Sequence, residues 1–134
     1  MKKSIFAPCK INLQLDIGEK KDNYHNIYTI MQTVSLYDTL TFNITKNTKN
    51  IENNIILTSN SSYIPTDEKN LCYKAIKYFV NTYNITDIIN LHIKKVIPLG
   101  AGLGGGSSDF FYTLNFLNKY YKTNLSITEM QNIC

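Results

Sequence analysis

A glycine-rich segment at residues 98–108 carries the clearest chemical signal in the sequence. It places five glycines within residues 100–106 and is followed by a stretch with helical periodicity. Because glycine lacks a Cβ, backbone N–H groups in such a segment can approach an anion closely. A helix that begins there also directs the positive end of its dipole at the anion. The segment is therefore predicted to bind phosphate.

Other interpretations of the glycine segment fit less well. Gly100 and Gly105 have the outer spacing of a Walker A loop, but Gly106 occupies the place of its lysine. Gly100, Gly102 and Gly105 satisfy G-x-G-x-x-G, yet residues 118–126 supply no acidic residue for a dinucleotide site. A plain flexible connector would rarely join a strand to Ser-Ser-Asp at a helix start. A phosphate loop of another type is favoured.

Two pairs near the start of the chain are further candidates. Lys10 and Asn12 are two apart on a predicted strand, so their side chains leave the same face with Cα atoms about 6.5 to 7 Å apart. Tyr24 and His25 offer an aromatic ring beside a heterocycle that can donate or accept, which suits a pyrimidine. By spacing alone, an exposed surface explains the first pair as well as a site does, and it explains the second pair better.

The strands that must position these residues are predicted from alternation and β-branched composition. Residues 11–17 form a half-buried strand, because apolar and polar residues alternate strictly along them. Its buried face would contain Ile11, Leu13, Leu15 and Ile17. Further predicted elements are strands at 29–34, 39–44 and 55–58, a turn at 35–38 and a loop at 46–54.

Three helices are predicted from apolar periodicity and capping residues. The first covers residues 67–83 behind a cap at Thr66 or Asp67, and the second covers 109–121. The last begins near Ile127, where Ser126 and Glu129 have capping-box spacing. The buried stripe of the second helix would be Phe110, Leu114, Leu117 and Tyr121.

Between the first two helices, residues 89–95 alternate as a strand. Lys95 then shares a face with Ile89, Leu91 and Ile93. A charge on an apolar face is unfavourable without a partner, so a partner for Lys95 is expected.

Composition narrows the classes of protein. The chain has 134 residues, of which 43% are hydrophobic, and a formal charge of +4. One globular domain is expected. The lysines are scattered and arginine is absent, so nucleic acid is not an expected partner. No apolar stretch suits a leader or a membrane span, and the cysteines at 9, 72 and 134 lack metal-ligand spacing. A cytoplasmic protein without a membrane partner is predicted.

The order of motifs resembles the GHMP kinase superfamily. Residues 98–108 followed by Asp109 are similar to its ATP loop. Ala-Pro-Cys-Lys-Ile-Asn-Leu at 7–13 and Asp-Asn-Tyr-His at 22–25 resemble two signatures of the branch that acts on a cytidine-diphosphate-linked polyol, A-P-A-K-[IL]-N-L and D-G-Y-H. The chain departs from that pattern at Cys9, at Asn23 and at the pair Phe110–Phe111, which could narrow the adenosine site.

The resemblance implies an α+β fold, shared with the second domain of ribosomal protein S5, and ATP with Mg²⁺ as cofactors. It implies transfer of phosphate to the 2-hydroxyl of 4-diphosphocytidyl-2-C-methyl-D-erythritol, in non-mevalonate isoprenoid synthesis. Lys10 would be catalytic, Asn12 and Lys95 would hold substrate, and Tyr24 and His25 would bind its cytidine. The ATP-binding residues would be Pro98, Leu99, Gly100, Ala101, Gly102, Leu103, Gly104, Gly105, Gly106, Ser107 and Ser108, with Asn70 and Leu71 beside the adenine. No protein metal ligand is implied.

The same resemblance implies that residues 1–134 are the N-terminal, ATP-binding domain of a longer kinase. The family's catalytic aspartate lies in a Gly-x-Asp-x-Pro segment that would follow Cys134, so little turnover is expected from this chain alone. Two alternatives stay open. One is a noncatalytic nucleotide-binding remnant, and the other is an S5-like RNA-binding module, which the +4 charge suggests.

Overall fold

Four strands and three helices occupy the residues that the computed structural model describes, 1–48 and 54–133. The sheet order is β1-β2-β4-β3, with β3 and β4 parallel and the other neighbours antiparallel. The α+β prediction is confirmed. In chain order the elements are β1 (Lys2–Lys21), β2 (Tyr24–Thr45), β3 (Ile55–Ser59), α1 (Leu71–Thr82), β4 (Ile88–Lys94), α2 (Gly105–Tyr121) and α3 (Ile127–Asn132).

Strands β1 and β2 form a long hairpin, which differs from the predicted burial of residues 11–17 and the predicted turn at 35–38. β4 pairs only with residues 39–45 of β2, so the outer half of the hairpin is a two-stranded ribbon. The apolar residues predicted to be buried at 11, 13, 15 and 17 are therefore 37–69% exposed, and the half-buried assignment is wrong. The turn predicted at 35–38 is also wrong, because β2 runs through it without interruption.

The core lies between one face of the sheet and helices α1 and α2. The alternation predicted for β4 is confirmed, with its apolar residues at 89, 91 and 93 buried against the helices. Phe42 of β2 stacks on Phe116 of α2, with ring centroids 4.1 Å apart. Burial of each such side chain stabilises the fold by about 1.5–3 kcal/mol. This packing holds α2, and with it the end of the glycine segment, against β1 and β2.

All three predicted helices are present, and two of them begin at residues other than those predicted. α1 begins at Leu71 rather than near 67, because the Asn70 side chain caps it, and α2 begins at Gly105, inside the glycine run. The Ser126–Glu129 capping box at the start of α3 is confirmed. Of the predicted loop 46–54, residues 49–53 lie outside the described residues, as does Cys134.

Candidate functional site

The glycine segment folds into a loop that only glycine forms without strain. Gly100, Gly102 and Gly104 have φ angles of +68°, +71° and +70°. Other L-residues pay roughly 1–2 kcal/mol in that region. Gly104 is the N-cap of the 17-residue helix α2. The first N–H groups of that helix have no acceptor within it, so they and the loop form a cradle for an anion.

Strand β1 holds this loop through a bulge. The β1–β2 register shifts between Pro8 and Lys10, and the Lys10 N–H donates to the carbonyl of Leu103 at 3.0 Å. The Ser108 hydroxyl donates to the Pro8 carbonyl at 2.6 Å. A Cβ on Gly104 would lie 3.5 Å from Cγ of Lys10, so the lysine side chain runs directly past the last loop glycine.

The Lys10 ammonium is directed by a neighbour on the same strand. It donates to Oδ1 of Asn12 at 3.1 Å, which confirms that the two side chains share a face. The Thr29 hydroxyl of β2 lies 3.4 Å from the same Oδ1 and donates to the Gln14 carbonyl at 2.8 Å. A cation is thereby held on the exposed side of the glycine loop.

Lys95 has the partner that its position on an apolar face requires. Its ammonium donates to Asp38 Oδ2 at 2.5 Å and to Asp109 Oδ2 at 3.0 Å, and all three side chains are at most 6% exposed. Burial lowers the Lys95 pKa, but the hydrogen bonds to the two carboxylates and the attraction of their charges together outweigh burial and leave the pKa raised. The ammonium reaches the start of α2, 3.0 Å from where a Gly105 Cβ would lie. Direct contact with substrate stays a prediction.

Asp109 is the residue that sequence reasoning missed, since it entered only as the end of a motif. Burial raises the pKa of its carboxyl to about 7. Its Oδ1 is buried and has no hydrogen-bond partner in the described part of the chain. The available signal was its spacing: Asp109, Thr113 and Leu117 follow one another at four-residue intervals, and all three are buried.

A cavity of about 160 Å³ lies beside the loop and is lined in part by residues predicted to bind ATP. Its lining includes Asn70, Leu71, Leu99 and Gly106. The Asn70 amide is already engaged, because its Oδ1 accepts from the Cys72 N–H at 2.8 Å and its Nδ2 donates to a backbone carbonyl. Asn70 is therefore the helix cap, in place of the predicted Thr66 or Asp67, while its contact with adenine stays a prediction.

A second cavity of about 370 Å³ also includes Leu71 in its lining. Ser107 and Phe110 border it as well. Phe110 is nevertheless buried in the core cluster, and Phe111 packs against that cluster. The phenylalanine pair therefore contributes to the core of the domain.

Tyr24 and His25 lie away from the loop, at the far end of the hairpin. His25 pairs with Lys20, ten residues along β1 from Lys10, which corresponds to roughly 30 Å. Tyr24 is 82% exposed, and His25 Nδ1 lies 3.3 Å from the Gly18 carbonyl. The structure gathers the other predicted residues around the loop but separates this pair from them.

Within residues 1–48 and 54–133, no three side chains of the metal-ligating types come close enough to share an ion. No helix in the same ranges is long and apolar enough to cross a membrane.

Comparison with known proteins identifies relatives of this arrangement. The family profile described as "GHMP kinases N terminal domain" matches residues 70–134. The chain is 44% identical over 130 residues to the 4-diphosphocytidyl-2-C-methyl-D-erythritol kinase of Clostridium botulinum (strain Alaska E43 / Type E3), covering 96% of this chain and 44% of the relative. It is 40% identical over 134 residues to the kinase of the same name from Bacillus cereus (strain B4264), covering 99% and 45%.

Solved structures agree with the sequence comparison. A crystal structure of 4-(cytidine 5'-diphospho)-2C-methyl-D-erythritol kinase matches with a TM-score of 0.78 and 27% identity, covering 98% of this chain and 46% of that one. The mevalonate kinase of Methanococcus jannaschii shares the fold, with a TM-score of 0.62 at 20% identity, covering 99% and 44%. The chain thus spans less than half the length of the relatives it matches.

Proposed function

Because the chain has the fold of a GHMP kinase N-terminal domain, we propose that it is the ATP-binding part of a small-molecule kinase. The substrate would be 4-diphosphocytidyl-2-C-methyl-D-erythritol, phosphorylated on its 2-hydroxyl, in the non-mevalonate route to isoprenoid precursors. The observation that carries the proposal is the direct attachment of Lys10 to the glycine loop, through the hydrogen bond from its N–H to Leu103.

The nucleotide fits the loop by its chemistry. Gly100 and Gly102 would meet nothing within 4 Å of an added Cβ, so the backbone there faces open space. Phosphate oxygens would accept from the N–H groups at the start of α2, with the helix dipole favouring their charge. ATP supplies the transferable phosphoryl group. Mg²⁺ would bridge the phosphates and offset their charge.

Phosphoryl transfer depends mainly on orientation and on stabilisation of charge. Lys10 is proposed to hold the accepting hydroxyl near the loop and to offset the negative charge that develops there. Asn12, which receives a hydrogen bond from the Lys10 ammonium, would fix the direction of that cation. Tyr24 and His25 are proposed to bind the cytidine end of the substrate, which the diphosphate separates from the reacting hydroxyl.

The test is substrate-dependent ADP formation by the complete gene product. Replacement of Lys10 by alanine should lower kcat about 10²–10³-fold, the usual effect of removing one charge-stabilising group. Lys2→Ala is the matched control, because Lys2 is an exposed lysine of the same strand outside the loop. Absence of substrate-dependent turnover in the unmodified protein would contradict the kinase proposal. ATP binding without turnover would favour a noncatalytic nucleotide-binding protein.

A further inference from the structure

The two ends of the glycine loop are joined beneath it by one buried cluster of charges, the Asp38–Lys95–Asp109 cluster. At the N-terminal end of the loop, Asp38 Oδ1 accepts from the N–H groups of Val96 and Ile97 at 2.6 and 2.9 Å. At the C-terminal end of the loop, Asp109 lies in the second turn of α2 and accepts from the Lys95 ammonium at 3.0 Å. Lys95 also donates to Asp38, so the cluster connects both sides.

The cluster is packed directly against the first residue of α2. A Cβ on Gly105 would lie 3.0 Å from the Lys95 ammonium and 3.0 Å from Cγ2 of Ile97. A displacement of Lys95 would therefore displace the start of the helix, where the phosphate cradle begins. The position of Lys95 depends in turn on the two carboxylates that hold it.

The charges of this cluster do not balance. Two carboxylates face one ammonium, and both oxygens of Asp38 accept hydrogen bonds while Oδ1 of Asp109 accepts none in the described chain. A buried unpartnered oxygen is costly when it is charged. Burial accordingly raises the Asp109 pKa to about 7. Cys72 of α1 also faces the cluster, and burial raises its pKa to about 12, so it stays a neutral thiol. Lys69 lines the same cavity as Lys95 and Asp109.

We propose that Asp109 is a positioning residue for the glycine loop and that it takes up a proton from the medium when a nucleotide polyphosphate binds there. The proposal rests on the proposed function, because that function brings a polyphosphate to the loop. Asp109 lies only about one helical turn after Gly105, which is about 6 Å along the axis of α2. A polyanion at that distance, across a buried region, disfavours a second negative charge and favours the neutral carboxyl. Protonation also gives the cluster equal numbers of positive and negative charges.

The experiment is calorimetric titration of the complete gene product with a nonhydrolysable ATP analogue at pH 7.5. Two buffers of different ionisation enthalpy report the protons exchanged on binding. If binding raises the Asp109 pKa by one unit from near 7, about half a proton is taken up. The Asp109→Asn variant should lack that half proton, and subtracting its value removes protons that belong to the nucleotide. Asp87→Asn is the control, because Asp87 is a buried aspartate at the opposite end of β4.

Equal proton uptake by the unmodified protein and Asp109→Asn would overturn the proposal while leaving the kinase assignment intact. Absence of nucleotide binding to the unmodified protein would overturn both. If Asp109→Asn fails to fold, the unmodified protein with ¹³C-labelled aspartate decides the question. The carboxyl resonance of Asp109 should titrate at a higher pH with the analogue than without it, and an unchanged midpoint would refute the proposal.

Discussion

Replacement of Gly105 by alanine tests how tightly the helix start is packed. The new Cβ would lie 3.0 Å from Cγ2 of Ile97, 3.2 Å from its Cβ and 3.0 Å from the Lys95 ammonium. Real Cβ atoms rarely come so close, so a neighbour must move. Ile97 is 1% exposed, and Lys95 is held by two carboxylates, so neither can move freely.

The expected loss follows from overpacking of a filled site. An added methyl group in such a place costs about 1–3 kcal/mol of unfolding free energy. Alanine also favours a helix over glycine by about 1 kcal/mol, which would mask part of the loss. Gly106→Ala supplies the correction, because its nearest neighbour, a Leu71 methyl, is 3.9 Å away and it occupies the next helical position. The difference between the two variants should therefore be about 1–3 kcal/mol.

The assay is urea unfolding of both variants of the complete gene product without nucleotide, followed by circular dichroism. At equal slope, Gly105→Ala should have the lower midpoint. In a thermal scan the same difference corresponds to roughly 2–12 °C. If Gly105→Ala proves as stable as Gly106→Ala, then the side chains of Lys95 and Ile97 move aside at little cost in free energy. That result would refute the rigid attachment of the cluster to the helix start.

The remaining predictions concern charge, substrate and capping. Lys95→Met should lower the free energy of unfolding by about 3–5 kcal/mol, measured in urea, because it leaves buried carboxylates unpaired. Stability should fall as pH rises from 4 to 7, because the folded Asp109 pKa of about 7 exceeds its ordinary value and the folded state binds more protons in that window. Asp109→Asn should flatten this slope in urea melts at several pH values. Tyr24→Ala should raise KM for the cytidylyl substrate, measured by ADP release, while stability changes by less than about 0.5 kcal/mol, since the side chain is exposed. Ser126→Ala should cost about 1 kcal/mol in the same melts through loss of the helix cap.

Local sequence was sufficient for the parts of the site that depend on local backbone. The glycine run indicates a loop, because glycine adopts the positive φ angles that the loop requires. The same-face placement of Lys10 and Asn12 follows from strand periodicity. Both were predicted. The capping box at Ser126 was also predicted, since both of its partners lie within one helical turn.

Features that depend on distant segments were not predictable in the same way. Alternation at residues 11–17 indicates a strand but does not say what covers it, and β4 is too short to extend the sheet that far. The need of Lys95 for a partner was evident, yet Asp38 lies 57 residues away in sequence. The four-residue spacing of Asp109, Thr113 and Leu117 indicates a buried position for Asp109, but its role depends on the contact with Lys95, which no local pattern shows.

The hydrogen bond between Ser108 and Pro8 spans 100 residues and has a consequence for biosynthesis. At about 5–20 residues per second, Ser108 is synthesised roughly 5–20 s after Pro8. β1 and β2 can pair early, because they are joined by a tight turn. The Lys10 N–H can form its hydrogen bond only after Leu103 has been synthesised. A nascent chain therefore has its hairpin long before it has the glycine loop, which is the part of the domain proposed to bind nucleotide.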